Sequence, residues 1–98
     1  MRPKENQVIH DTEVANIASQ YVRAGWPVVY SDLPGNNKPP VINGYIPDVY
    51  VRNGNAEVVI EIETIDSKNS QQSIAQYKAF KSWADLSPAY RKFLWKVI

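Results

Sequence analysis

The stretch IPDVYVRNGNAEVVIEIET, residues 46–64, restricts the fold of this chain more than any other segment. Two runs rich in β-branched residues flank an Asn-Gly pair, and Asn-Gly is the favoured centre of a type I′ turn. The pattern therefore predicts a β-hairpin. We expect strands at Tyr45–Val51 and Ala56–Thr64, joined by a turn over residues 52–55.

Three carboxylates, Asp48, Glu61 and Glu63, interrupt this apolar hairpin. Side chains alternate along a strand, so Glu61 and Glu63 share a face with Val59, opposite the face of the other apolar residues. Counting from the turn, Asp48 lies on that same face, near the open end of the hairpin. The residues leave two interpretations open. Either the acids hold a divalent cation that relieves their repulsion, or they form a solvated face that keeps an edge strand soluble.

The chemistry of a cation site would be that of hard oxygen ligands, which favour Mg²⁺, Mn²⁺ or Ca²⁺. The chain contains one His and no Cys, which argues against a zinc centre and excludes disulfides. No apolar run approaches the ~20 residues of a membrane span, and the N-terminus lacks the apolar region of a signal peptide. A cytoplasmic location is therefore expected.

The rest of the chain alternates helical and strand patterns. Apolar residues at helical spacing predict a first helix that ends at Gly25 and a second helix over residues 71–84. Further strands are expected at Trp26–Tyr30 and Lys92–Ile98, and turn residues fill Ser31–Gly44. The order helix, three strands, helix, strand predicts an α/β domain with a mixed sheet flanked by helices.

The length of 98 residues predicts a single domain over residues 1–98, and the apolar final strand suggests truncation at the C-terminus. Charge is uneven along the chain: residues 45–66 carry a net −4 and residues 67–98 a net +5. An acidic pocket beside a basic surface suits a metal site that faces a phosphate backbone. Chance unevenness in a short chain is the alternative.

The pair Pro47-Asp48, followed by a hydrophobic strand that ends in Glu61-Ile62-Glu63, resembles the PD-(D/E)XK nuclease superfamily, the fold of restriction endonucleases and archaeal Holliday-junction resolvases. The resemblance covers most of the chain. EVANIASQYVRAGWPVVY looks like the first helix and strand of the resolvase-like members, and SQQSIAQYKAF looks like the helix after the active site. It implies a restriction-endonuclease-like core and metal-dependent hydrolysis of nucleic acid, chiefly DNA.

The resemblance also implies the site residues. Asp48, Glu61 and the carbonyl of Ile62 would hold Mg²⁺ or Mn²⁺, and Glu13 on the first helix would join them. The family pattern has Lys two residues after the second acid, whereas this chain has Glu63 there. Lys normally positions the attacking water and stabilises developing charge.

Three interpretations of this departure remain open. Glu63 acts as a general base, or Lys78 or Lys68 reaches in from the following segment, or the domain has lost catalysis. In the last case it serves as a nucleic-acid-binding or protein-assembly module. A carboxylate enzyme of another class, such as a glycosidase, is a weaker alternative because so short a chain offers no long substrate cleft.

Contacts to nucleic acid are expected from basic and amide side chains beyond the hairpin, namely Lys38, Lys68, Gln76, Lys78 and Lys81. A domain this small presents little surface for reading bases, so a homodimer or a fused DNA-binding partner is expected. We interpret His10 as incidental. The three tryptophans, Trp26, Trp83 and Trp95, are interpreted as core residues because each lies in an apolar pattern.

Overall fold

A computed structural model of the protein describes residues 3–98. The predicted order of helices and strands is confirmed, with most boundaries within two residues of expectation. The elements are α1 (Lys4–Arg23), β1 (Val28–Ser31), β2 (Val49–Asn53), β3 (Ala56–Glu63), α2 (Gln71–Asp85) and β4 (Arg91–Val97).

The four strands form one mixed sheet in the order β1-β2-β3-β4. β1, β2 and β3 pair antiparallel, whereas β4 returns through α2 to lie parallel to β3. β3 is therefore an interior strand with a neighbour on each side. This placement contradicts the interpretation of Glu61 and Glu63 as groups that keep an edge strand soluble.

The two helices cover opposite faces of the sheet. On one face, Val14 and Ile17 of α1 pack on a cluster that includes Val58, Ile60 and Ile62 of β3. On the other face, buried residues of α2 pack against Val59 of β3, together with Tyr50 and Ile42. The alternation predicted for β3 is thus confirmed, and it places Glu61 and Glu63 on the α2 side of the sheet.

The β2–β3 turn is tighter than expected. Asn53 pairs with Ala56, so the loop consists of Gly54 and Asn55 alone. Gly54 has φ +60°, while Asn55 is not among the residues with positive φ. Positive φ at the first central position alone is the pattern of a type II′ turn, so the predicted type I′ turn is wrong.

Strand β2 begins at Val49 rather than at Tyr45. The segment before it contains Pro47, which has no amide to donate to a sheet ladder. Tyr45 instead forms an isolated bridge with Ile42, around a turn in which Asn43 and Gly44 both have positive φ. The segment between β1 and β2 is therefore anchored at this turn.

Several apolar side chains lie at the surface, among them one of the three tryptophans predicted to be core residues. On α1, Val22 is 60% exposed, and on α2, Ile74 is 46% exposed. Tyr77 and Trp95 are each 37% exposed, so the prediction of a core position for Trp95 is wrong. Trp95 is exposed because β4 is an edge strand and α2 covers only part of its face.

No helix within residues 3–98 combines the length and the apolar character that a membrane span requires.

Candidate active site

The register of the β2–β3 hairpin brings Asp48 and Glu61 together. Val49 pairs with Ile60, so the next position outward places Asp48 beside Glu61 at the open end. The backbone N–H of Asp48 donates to Glu61 Oε1 at 3.0 Å. The backbone N–H of Ile62 donates to Asp48 Oδ2 at 2.8 Å. These reciprocal bonds hold each carboxylate against the opposite strand.

These acids are buried rather than solvated. Glu61 is 4% exposed and Glu63 is 1% exposed, and the side chain of Asp48 is 14% exposed. Buried carboxylates are costly without partners, so a solvated face does not describe this part of the sheet.

A cavity of about 230 Å³ lies over the hairpin end and the start of α2. Its lining is made of five acids, several hydroxyl and amide side chains, and one apolar residue. They are Asp32, Ile46, Asp48, Glu61, Glu63, Asp66, Ser67, Ser70, Gln72, Ser73 and Gln76. Neither Lys nor Arg is among these lining residues of the described chain. Basic side chains beside the cavity acids include His10, which contacts Asp48, and Lys38, which lies near Asp32.

The pKa of Glu61 shows how strongly burial and the neighbouring acids affect its ionisation. Burial, followed by the charges of Asp48 and Glu63, raises the pKa of Glu61 to about 9, against the lowering effect of the bond from the Asp48 amide. Without a cation, Glu61 holds a proton at neutral pH. A divalent cation would take the place of this proton as the source of positive charge.

His10 completes the surroundings of Asp48, and sequence reasoning missed it. This side chain of α1 is 5% exposed. Its Nε2 lies 3.2 Å from Asp48 Oδ2, and its Nδ1 lies 3.0 Å from Asp11 Oδ1. The available signal was its spacing, because His10 continues the buried stripe of Val14 and Ile17 at helical intervals.

Glu63, two residues after Glu61, is held from the following loop. Ser67 Oγ donates to Glu63 Oε2 at 2.6 Å, and the N–H of Thr64 donates to Ser67 Oγ at 3.2 Å. Ser70 then caps α2 by accepting a bond from the N–H of Ser73 at 3.1 Å. The loop between β3 and α2 thus fixes Glu63 within the cavity wall.

The structure does not bring Glu13 to this cavity. Glu13 Oε2 instead accepts a bond from Lys96 Nζ of β4, and Glu13 lines a separate surface depression beside Ile98. Neither Lys68 nor Lys78 lines the acidic cavity, so the structure gives no support to a migrated Lys.

The remaining predicted contacts divide between the cavity and the surface. Gln76 lines the cavity. Lys38 Nζ lies 3.9 Å from Asp32 Oδ1, so Lys38 stands at the cavity margin. Lys81 lies further along α2 and pairs with Asp85 at 2.9 Å on the solvent side.

The donor chemistry of the cavity fits a hard divalent cation, since its acids offer carboxylate oxygens from the hairpin. Within residues 3–98, no group of three or more His, Asp or Glu side chains has the arrangement of a cation site. Oxygens of Asp48 and Glu61 accept backbone bonds instead. Cation binding would therefore exchange some of these bonds for metal ligation. The cavity therefore offers ligands of the right type for such a cation, but their arrangement would have to change to bind it.

Comparisons with known proteins identify one family. The family model described as REase AHJR-like matches residues 2–91, which is most of the chain. No curated protein and no solved structure gives a significant match.

Proposed function

Because the chain belongs to the REase AHJR-like family, a restriction endonuclease-like family, we propose that it is a metal-dependent nuclease that hydrolyses phosphodiester bonds of DNA. The observation that carries this proposal is the meeting of Asp48 and Glu61 across the hairpin, in a cavity that also holds Glu63. Membership of a restriction endonuclease-like family favours a nuclease over other functions. The buried acids supply the residue types that metal-dependent hydrolysis needs.

Asp48 and Glu61 would hold Mg²⁺ or Mn²⁺ through their carboxylate oxygens, with the Ile62 carbonyl as a further oxygen donor. Such a cation acidifies water and withdraws charge from phosphate oxygens. Asp48 keeps its orientation through the Ile62 amide and through His10. His10 therefore acts as a positioning residue, because it touches Asp48 rather than the reacting atoms.

Glu63 is proposed to accept the proton of the attacking water in place of the missing Lys. Its Oε2 is held by Ser67, which fixes the direction of the carboxylate. Gln76 faces the same cavity and can donate its amide protons to a phosphate oxygen. Lys68 precedes α2 and Lys78 lies in the middle of this helix, and both would contact the phosphate backbone without reading sequence.

One observation favours the alternative of a non-catalytic binding module. The described cavity lining contains no Lys or Arg that would stabilise a developing negative charge. In the nuclease proposal the cation alone would stabilise this developing charge. The two functions therefore differ sharply in their dependence on metal.

The deciding experiment is calorimetric titration of Mn²⁺ into wild type, Asp48→Asn and Asp85→Asn. Asp85→Asn is the matched control, because it removes one acid from the exposed end of α2. Asp48→Asn keeps the shape of the side chain and is expected to weaken Mn²⁺ binding by more than about 100-fold, since even outer-shell partners of a metal contribute up to this factor.

The same samples are then given supercoiled plasmid and a branched DNA with Mn²⁺ or Mg²⁺. Cleavage by wild type and Asp85→Asn but not by Asp48→Asn is the expected result. Wild type that binds no cation and cleaves neither DNA would refute the nuclease proposal and favour the binding module.

A further inference from the structure

A second cavity, of about 560 Å³, lies on the α1 side of the sheet, and we call it the α1 cleft. It is lined by the second half of α1, by Val29 and Ser31 of β1, and by residues 35–37 of the loop that follows β1. Ala15 and Ala18 of α1 have small side chains and leave the space between helix and loop open. The volume falls within the range of about 300–1,000 Å³ that is typical of small-ligand sites.

The polar groups of the α1 cleft are chiefly hydrogen-bond donors. Arg23 can only donate, and the side chains of Ser19, Ser31, Asn36 and Asn37 can also donate. Neither Asp nor Glu is among the described lining residues. The acidic cavity has the opposite character, with five acids and neither Lys nor Arg in its described lining. The α1 cleft therefore suits an anionic ligand that is rich in acceptor oxygens.

Ser31 contributes a buried hydroxyl group to this cleft. The residue is 3% exposed, and its Oγ accepts a bond from Asn36 Nδ2 at 2.7 Å. Within residues 3–98, the hydroxyl proton of Ser31 is donated to no acceptor. A buried donor that lacks an acceptor costs free energy, and a ligand oxygen in the cleft would remove this cost.

Arg23, the last residue of α1, contributes an uncompensated positive charge. In the described part of the chain, its guanidinium group forms neither a hydrogen bond nor an ion pair. The carbonyl groups at the end of a helix carry partial negative charge, which would repel an anion. Here the carbonyls of residues 20–22 accept bonds of 3.0–3.1 Å from the amides of residues 24–26, which reduces this effect. The charge of Arg23 is therefore available to a ligand.

The α1 cleft and the acidic cavity lie on either side of one loop. Ser31 lines the cleft, whereas Asp32, the next residue, lines the acidic cavity. Backbone bonds hold this loop: Ser31 N–H donates to the carbonyl of Asn37 at 3.2 Å, and Asp32 N–H donates to the carbonyl of Asp48 at 2.9 Å. A nucleic-acid strand with one phosphate at the acids can therefore place another phosphate in the cleft by passing around this loop.

We propose that the α1 cleft binds a phosphate group of a nucleotide, with Arg23 and the Ser31 hydroxyl donating to its oxygens. A guanidinium group matches two phosphate oxygens, and the hydroxyl gives a third contact. The proposal rests on the proposed function, to which it adds a contact to a phosphate of the substrate strand beyond the scissile one. A free nucleotide carries the same chemical group and is the other source that the experiment separates.

The test is fluorescence anisotropy of a labelled DNA duplex at several salt concentrations, with EDTA present to prevent cleavage. Arg23→Gln is expected to weaken binding about 10-fold or more, because it removes a charged donor. It should also make the slope of log K against log salt shallower by about 1, the effect of one lost phosphate contact. Arg52→Gln is the matched control, since it removes the same charge from the exposed hairpin turn, where Arg52 bonds to the Gly54 carbonyl. It should change neither quantity.

Two further variants test the cleft itself. Ala15→Leu fills part of the cleft without removing a donor and should also weaken binding, whereas Asn16→Leu places the same side chain on α1 outside the lining and should not. Ser31→Ala removes a neutral donor, so it should weaken binding about 2- to 10-fold without changing the salt slope. Circular dichroism establishes that each variant is folded.

Titration calorimetry with thymidine monophosphate separates the two sources of phosphate. A strand phosphate is the ligand if duplex affinity depends on Arg23 and Ala15. A free nucleotide is the ligand if thymidine monophosphate binds wild type but not Arg23→Gln, while duplex affinity is the same in both. Binding of duplex and nucleotide that is unaffected by Arg23→Gln and Ala15→Leu would overturn the proposal. Equal losses of duplex affinity in Arg23→Gln and Arg52→Gln would overturn it too, because net charge alone would then explain them.

The nuclease proposal and the cleft proposal can fail separately, because binding is measured without metal. Cleavage by wild type with Mn²⁺, combined with binding that does not depend on Arg23, would overturn the cleft proposal alone. Binding that depends on Arg23, without cleavage under any metal condition, would support the cleft proposal and overturn the nuclease proposal.

Discussion

Replacement of Glu61 by Gln should remove most of the pH dependence of stability of the metal-free protein. Glu61 retains its proton up to a pKa of about 9 in the folded state, against 4.5 in the unfolded chain. Between these values the folded state binds one proton more, so stability is full below about pH 4.5 and falls as pH rises towards 9. One proton corresponds to about 1.4 kcal/mol per pH unit. From pH 6 to pH 8 the free energy of unfolding would therefore fall by about 3 kcal/mol if the site is rigid. If the site admits water, the fall would be about 1 kcal/mol.

Gln is a close substitute for the protonated acid. Its Oε1 can accept the bond from the Asp48 amide that Glu61 accepts at 3.0 Å, and its amide can donate to the carboxylate of Asp48. The Glu61→Gln protein should therefore match wild type near pH 5. It should become more stable than wild type by about 1 to 4 kcal/mol at pH 8, because unfolding of wild type then releases a proton from Glu61 and is favoured by the higher pH.

The assay is urea unfolding with EDTA at several pH values, followed by tryptophan fluorescence. Glu5→Gln is the control, because it removes an exposed acid of α1 outside the cavity and should keep the wild-type slope. Saturating Mn²⁺ should flatten or reverse the slope of wild type by replacing the proton. Parallel pH profiles for wild type and Glu61→Gln would refute the reasoning, since they would mean that Glu61 is not the group that titrates.

Three further predictions concern the surroundings of the site. His10→Ala removes the imidazole beside Asp48, so titration calorimetry should show Mn²⁺ affinity about 10- to 100-fold lower; unchanged affinity would separate His10 from the site. Tyr50→Phe deletes a bond of 2.6 Å to Glu57 and should lower the free energy of unfolding in urea by about 1 to 2 kcal/mol, whereas no measurable loss would contradict this contact. Phe80→Ala opens a cavity under α2 and should cost about 3 to 5 kcal/mol in the same assay; a cost below about 1 kcal/mol would disagree with its burial.

The hairpin and its acids were predictable because their signals are local. Alternation along Ala56–Glu63 fixes which side chains share a face, and the two-residue turn fixes the register that brings Asp48 to Glu61. The wrong turn type affected the predicted conformation of the turn residues only. The acids kept their common face, because alternation within each strand does not depend on the turn class.

The sequence could not predict whether His10 or Glu13 of α1 reaches the acidic cavity. Both lie on α1 less than one turn apart, so the side chain that reaches Asp48 depends on how Val14 and Ile17 seat the helix on the sheet. The partner of Glu13, Lys96, lies 83 residues away in the sequence, where no local pattern signals a contact. The exposure of Trp95 has a similar origin, since an apolar alternation does not reveal that a strand lies at the edge of its sheet.

The acids lie at the open end of the hairpin, farthest from the Gly54 turn, and this arrangement has a consequence for how the site forms. A hairpin that closes from its turn brings Asp48 and Glu61 together last, and this final step buries Glu61 in its protonated form. The same end can then fray while the pairs near the turn stay intact. Such partial opening gives a hydrated cation a route to oxygens that the closed hairpin holds against its own amides.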